Sequence, residues 1–299
     1  MRVADFFLLF AVCFVWGLNI VVTRWVIADA GVPPVFFAAV RFLGIALVLV
    51  PFLFPAPKQM LSLFMISMCM GAVHFALLFM GLAHAEASAV SVTGQLGVPF
   101  ATIMSVIFLG ERVHWRRGLG IVLAFAGVMI IAFDPQSFSI SFGLIYVAAA
   151  AFIASIGGIL MKKMAPIGAL QLQAWLGLFS FAPLFAVSFF TEAGQVGAFA
   201  AGGWLVWLAT AFAVLGVSVF GHGAYYVLIK RYDISLLSPL TLMTPVWGVV
   251  LAVTLLSEPV TLRLVIGSII SLSGVFVIAI RRNKRLPEAA SPEKASVAR

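Results

Sequence analysis

The chain is 299 residues long, 64% hydrophobic and only 9% charged, with a formal net charge of +8 and a mean hydropathy of +1.19. Soluble domains carry about a quarter of their residues as charges, so this composition excludes an ordinary globular fold and indicates an integral membrane protein. The excess of base would suggest nucleic acid in a soluble chain; here Lys and Arg gather at the ends of apolar runs, where membrane topology puts them, and no nucleic-acid partner is expected.

A membrane-spanning helix needs roughly 20 mostly apolar residues. Such runs fall at about 5–27, 34–54, 61–83, 88–109, 115–133, 141–161, 170–190, 204–228, 236–256 and 261–280, which predicts an all-α integral membrane protein of ten helices. The first run follows Arg2 and precedes Ala28-Asp29-Ala30, as a secretory signal would, but it is too long for one and reads as helix one. Cys13 and Cys69 fall inside helices without a secreted pattern and read as packing residues.

Polar residues at mid-helix are costly in lipid and face the interior of a bundle. In helix one, Trp16 and Asn19 lie three residues apart and share a face. Arg41 lies a quarter to a third of the way into helix two, and two readings stand: it snorkels outward to the headgroups, or it sets a positive potential that draws anionic groups. His74 follows in helix three and Gln95 in helix four. Gln171, Gln173 and Trp175 lie in helix seven, and Ser218, His222, Tyr225 and Tyr226 share a face of helix eight. Helix nine carries Thr244 and Trp247. Each of these can serve either an interhelical hydrogen bond or a ligand; Trp16, Asn19, Gln95 and His222 are the preferred substrate contacts. Trp25, Trp115 and Trp204 sit near helix ends and read as an interfacial belt.

An offset of 147 residues places Glu111 on Glu258, Val113 on Val260, Gly120 on Gly267 and Gly127 on Gly274; a one-residue gap adds Pro99 on Pro245. The chain therefore divides into residues 1–134, residues 135–282 and a polar tail, 283–299, expected to be disordered. Five helices per half force the halves to be inverted. With a cytoplasmic N-terminus, the inner side receives Arg2, Lys58, Arg112, Arg116, Arg117, Lys162, Lys163, Lys230, Arg231 and the tail cluster Arg281, Arg282, Lys284 and Arg285. The outer side receives Asp29, Glu86, Asp134, Glu192 and Glu258, with Arg263 as its basic residue. Both termini are thus expected in the cytoplasm. Glu111 and Glu258 precede helices five and ten, where a carboxylate is favoured by free amides and the positive helix end; a gating or ion-coupling role is the alternative. Gly120 and Gly267 read as packing positions.

Gly/Pro-interrupted segments at corresponding positions of two halves are the sequence mark of a transporter site. Thr93-Gly94-Gln95-Leu96-Gly97-Val98-Pro99 and Ser238-Pro239-Leu240-Thr241-Leu242-Met243-Thr244-Pro245 form that pair, so Pro99 and Thr244 join the candidate substrate contacts. An intramembrane enzyme is disfavoured, because His74, His84, His114 and His222 are scattered and no Asp or Glu lies at mid-membrane depth. No cofactor or metal is expected, and no ring of charge suggests a channel. A nucleotide-sugar carrier would present several cavity cations, and a lipophilic-cation pump an embedded carboxylate. Neutral or zwitterionic metabolites remain, with amino acids leading, because Asn, Gln and indole donors can hold a carboxylate while aromatic walls hold a side chain. The missing mid-membrane carboxylate also favours an uncoupled facilitator over a proton-driven carrier, with histidine or end-glutamate coupling as the alternative.

These features resemble the EamA-type members of the drug/metabolite transporter superfamily. The resemblance is carried by Trp16-Gly17-Leu18-Asn19, Ala38-Ala39-Val40-Arg41-Phe42, Leu96-Gly97-Val98-Pro99 and Leu109-Gly110-Glu111 with Gly120 and Gly127. It is echoed by Thr244-Pro245, Ser257-Glu258, Gly267 and Gly274. It implies an inverted five-helix repeat, a central cavity opening alternately to either side of the inner (plasma) membrane, and export of metabolites. Within the superfamily the chain looks most like the exporters of aromatic amino acids.

Overall fold

The computed structural model describes residues 1–110, 114–134 and 139–280. Glu111, Arg112 and the tail from 281 onward lie outside the described residues. The helices are α1 Val3–Ala28, α2 Pro34–Val48, α3 Met60–His84, α4 Ala87–Leu109, α5 Trp115–Ala132, α6 Phe142–Lys163, α7 Ala169–Thr191, α8 Gly203–Arg231, α9 Leu236–Leu255 and α10 Leu262–Ala279. Nine of the helices among the described residues are long and apolar enough to cross a membrane; α2, at 15 residues, is shorter. It starts on Pro34, whose missing N–H costs nothing in a first turn. The run expected to continue to residue 54 instead tightens into a 3₁₀ turn, Val50–Leu53, at Pro51, which has no N–H to donate. Two small features were not foreseen: the helix Gln195–Ala201, and an antiparallel pair, β1 Phe133–Asp134 with β2 Ser139–Ile140.

Four helices change pitch along their length. α3 widens to a π turn over Met68–Val73 and α8 over Phe212–Gly221, and in both the next residue is a histidine, His74 and His222. α4 tightens to 3₁₀ over Gly94–Leu96, and α9 breaks at Thr241–Leu242. Proline explains the second pair. Pro99 and Pro245 cannot donate to the carbonyls four residues back, at Gln95 and Thr241, and those residues sit in the two breaks. π turns inside α-helices are frequent at functional sites.

Packing is reciprocal between the halves. α5 lies on α10, α2 on α7 and α4 on α9; α1 meets α8 and α9, while α6 meets α3 and α4. The α5–α10 contact is made by small residues. A Cβ on Gly120 would come within 2.7 Å of the Gly274 carbonyl, and one on Gly267 within 2.6 Å of the Gly127 carbonyl. Bare glycines let the two backbones touch where lipid offers no hydrophobic drive for association.

Polar contacts tie the ends of the bundle. At the end carrying the clustered lysines, Arg231 pairs with Asp5 at 2.9 Å, Tyr232 donates to the same carboxylate at 2.7 Å, and Gln171 donates to the Pro55 carbonyl at 2.8 Å. At the opposite end two glutamates clasp helix N-termini from the other half. Glu192 accepts from Val35 N at 2.8 Å and Phe36 N at 2.9 Å; Glu258 accepts from Ala87 N at 2.6 Å and Ser88 N at 2.9 Å. Glu258 therefore does cap a helix, but α4 rather than the α10 that follows it. Thr261 caps α10 through Leu264 N, and the amides at the start of α4 are left to the glutamate.

Candidate functional site

The polar side chains of α1, α2, α3 and α8 converge. Trp16 lies against His222 and Tyr225, with ring centroids 5.4 and 5.3 Å away. Gly221 makes room for this approach: a Cβ there would stand 2.7 Å from Trp16 Nε1. One helical turn before His222, Ser218 meets Arg41 of α2, whose Nη2 lies 3.4 Å from Ser218 Oγ. The guanidinium also sits 4.8 Å over the Phe75 ring, and Phe75 packs edge-on to His74 at 4.9 Å. A continuous path of contacts thus joins Tyr225, Trp16, His222, Ser218, Arg41, Phe75 and His74.

Arg41 is 2% exposed, which overturns the snorkelling reading: its head turns toward α3 and α8. Its Nε and Nη1 are buried without a hydrogen-bond partner, as are Trp16 Nε1 and Asn19 Oδ1. Buried polar atoms are normally satisfied, and each unsatisfied one costs on the order of 1–3 kcal/mol. Such a concentration of donors and one acceptor is a defect in a structural core and an asset in a binding site. The histidines, by contrast, are anchored. His74 Nδ1 is 2.9 Å from the Ala150 carbonyl and His222 Nδ1 3.0 Å from the Val217 carbonyl. A carbonyl only accepts, so each Nδ1 carries the proton.

The other sequence-selected residues lie in separate contacts. Trp175 tilts against Phe179 at 5.2 Å and its buried Nε1 has no partner; the same is true of Thr244 Oγ1. Trp247 stands edge-on to Phe10 and Phe14 at 5.3 and 5.2 Å, next to the small core of Leu9, Cys13, Leu228 and Leu237. Gln95 is half-buried within the 3₁₀ break and Pro99 is buried beyond it. Trp25 packs on the main core, whereas Trp115 and Trp204 are 74% and 71% exposed at helix starts, as belt residues would be.

A cavity of about 740 Å³ opens at the glutamate end, lined by Arg24, His84, Glu86, Ser141, Thr261 and Arg263 among others. None of the residues selected from the sequence as substrate contacts lines it. Arg24, overlooked in the charge pattern, is a second basic residue at this end and donates to the Leu82 carbonyl at 2.6 Å. Partial burial and the neighbouring Glu258 push the Glu86 carboxyl up, against the pull of Arg24. This mixed, open lining suits a vestibule; the unpartnered groups of Trp16, Asn19 and Arg41 lie elsewhere, on α1 and α2.

The family model for EamA-like transporters matches the chain twice, at residues 4–133 and 141–280. The chain belongs to the EamA-like transporter family. Its two matches coincide with the halves that exchange helix contacts. A probable amino-acid metabolite efflux pump of Escherichia coli (strain K12) is 26% identical over 273 residues, covering 88% of this chain and 90% of that protein. A protein of the same description from Salmonella typhimurium (strain LT2) is 27% identical over 297 residues, covering 94% and 98%. A solved crystal structure shares the fold, with a TM-score of 0.62 over 93% of this chain and 96% of that chain, at 18% identity. As a member of this EamA-like family the chain is a multi-pass membrane transporter. Two contributors were missed in the sequence: Phe75, which reads as one more apolar residue, and Glu192, whose partners are 157 and 156 residues away.

Proposed function

We propose that the protein is an alternating-access exporter of small neutral or zwitterionic metabolites, amino acids including aromatic ones foremost. It is built as ten membrane helices in two inverted five-helix halves, with both termini in the cytoplasm. The two family matches and the reciprocal helix contacts support the repeat, and the clustering of Lys and Arg supports the orientation. The observation that carries the substrate reading is the set of buried, unpartnered atoms on Trp16, Asn19 and Arg41. Indole and guanidinium N–H groups suit a carboxylate, the Asn19 carbonyl suits an ammonium, and the rings of Trp16, Tyr225 and Phe75 supply apolar wall. Export as the direction, and amino acids as the cargo, are further supported by the names of the two enterobacterial relatives.

Pitch changes in α3, α4, α8 and α9 give the halves places to bend without breaking helices elsewhere. The test is counterflow in liposomes: purified protein, internal unlabelled neutral amino acids, external radiolabelled amino acid, and a panel of competitors. Transient accumulation of label that amino acids suppress is the expected result. Exchange of sugars, purines or hydrophobic drugs with no amino-acid exchange would contradict it.

A further inference from the structure

We propose that Arg41 is the residue that selects substrates bearing a free carboxylate, by forming in the loaded carrier the ion pair that the protein itself does not provide. This rests on the reading above that the site lies among α1, α2, α3 and α8. The other cations whose contacts are defined meet partners near helix ends: Arg231 pairs with Asp5, Arg24 and Arg263 donate to carbonyls, Lys162 donates to Ser105 Oγ, and Lys230 and Arg116 stand 4.5 and 5.5 Å over Tyr226 and Trp115. Arg41 alone among these is buried in the bundle. Its polar contacts are one long bond from Nη2 to Ser218 Oγ and the face of Phe75, while Nε and Nη1 have no hydrogen-bond partner.

Three acids whose contacts are defined are committed elsewhere. Asp5 is held by Arg231 and Tyr232, and Glu192 and Glu258 are held by backbone amides at the far end. Among the described residues no carboxylate pairs with Arg41. An uncompensated charge in a low-dielectric interior is expensive, and the expense falls when a partner of opposite charge arrives with good geometry. The planar guanidinium presents five N–H donors whose fork matches a carboxylate in two parallel bonds. One arginine balances one negative charge. A phosphate dianion would leave a surplus charge buried, so the fit is to a carboxylate. Phe75, with its ring centroid 4.8 Å from the guanidinium carbon, supports the cation while Nε and Nη1 keep their hydrogen-bonding capacity for the ligand. The site should therefore refuse amino-acid amides, esters and decarboxylated amines, which keep the side chain and lose the anion.

The experiment has two arms on the intact protein. In detergent, the midpoint of thermal unfolding is followed with phenylacetate and with phenylacetamide as probes. In liposomes, phenylalanine, phenylalaninamide and 2-phenylethylamine compete against whichever radiolabelled amino acid gives counterflow. The expected result is stabilisation by phenylacetate and not by its amide. In the liposomes, phenylalanine should compete at least about tenfold better than phenylalaninamide, as befits a charged hydrogen-bond pair. Arg41→Gln should remain folded, since it removes a buried unpaired charge, and should lose both discriminations; Arg41→Lys, which keeps the charge without the fork, should retain part of them. Equal competition by acid and amide in the unmodified protein, or discrimination that survives Arg41→Gln, would overturn the proposal. If no amino acid exchanges but phenylacetate alone still stabilises, and does so through Arg41, the carboxylate site stands and the amino-acid reading falls. If amino acids exchange in counterflow without discrimination between acid and amide, the carboxylate site falls and the amino-acid reading stands.

Discussion

Trp16 is where the proposed binding site can be tested at the scale of single residues. Its ring is held between His222 and Tyr225 and its Nε1 is left without a partner. Trp16→Phe keeps most of the ring contact and removes the donor, so folded protein should be recovered in unchanged amount while substrate affinity falls about tenfold or more. The loss of one hydrogen bond to a carboxylate corresponds to about 1.5–3 kcal/mol. Asn19→Leu removes an acceptor and should act in the same direction, with a larger loss for zwitterions than for simple carboxylates. Initial counterflow rates against substrate concentration check both; unchanged KM in each variant would return these residues to packing. The polarity of these positions was legible in the sequence, because a tryptophan and an asparagine three residues apart in an apolar run stand out. The posture of Arg41 was not. Its depth in the run is compatible with a side chain reaching out or in, and Phe75 and Ser218 on two distant helices decide the matter.

At the scale of elements, the helices follow from apolar runs ended by Gly, Pro and charge. Gly110 closes α4 in the left-handed conformation at φ 65°, as a glycine C-cap should. The glycines aligned by the offset of 147 lie in one seam, where Gly120 and Gly127 meet Gly274 and Gly267 between α5 and α10. That seam can be tested within one helix. A side chain at Gly127 would strike the backbone around Ser271 and Gly267, whereas one at Gly118 would meet nothing within 4 Å. Gly127→Val should lower stability by about 1–3 kcal/mol or prevent assembly, and Gly118→Ala should be neutral or slightly stabilising, because alanine is the better helix former. Yield of monodisperse protein and the unfolding midpoint read the difference; equal tolerance at both positions would mean that the seam is looser than it looks. What the sequence concealed at this scale is non-local. Glu258 follows α9 and precedes α10, yet its carboxylate closes the N-terminus of α4, 171 and 170 residues away. The π turns in α3 and α8 were equally hidden, since a widened turn involves no distinctive residue of its own.

For the whole molecule, the two family matches and the exchange of helix contacts support the proposal that one chain works as two halves around shared polar groups. Glutamates fasten one end of that arrangement across the halves, and the Asp5–Arg231–Tyr232 contact fastens α1 to α8 at the other. If the halves alternate, the groups between them must meet water from each side in turn. The most direct measurement is accessibility of a single cysteine in place of Asn19, in protein with Cys13 and Cys69 replaced by alanine, reconstituted in one orientation. A membrane-impermeant thiol reagent is applied from either face, with and without saturating amino acid. The account predicts slow labelling from both faces and protection from both by the amino acid. Labelling confined to one face, or unaffected by the amino acid, would contradict it.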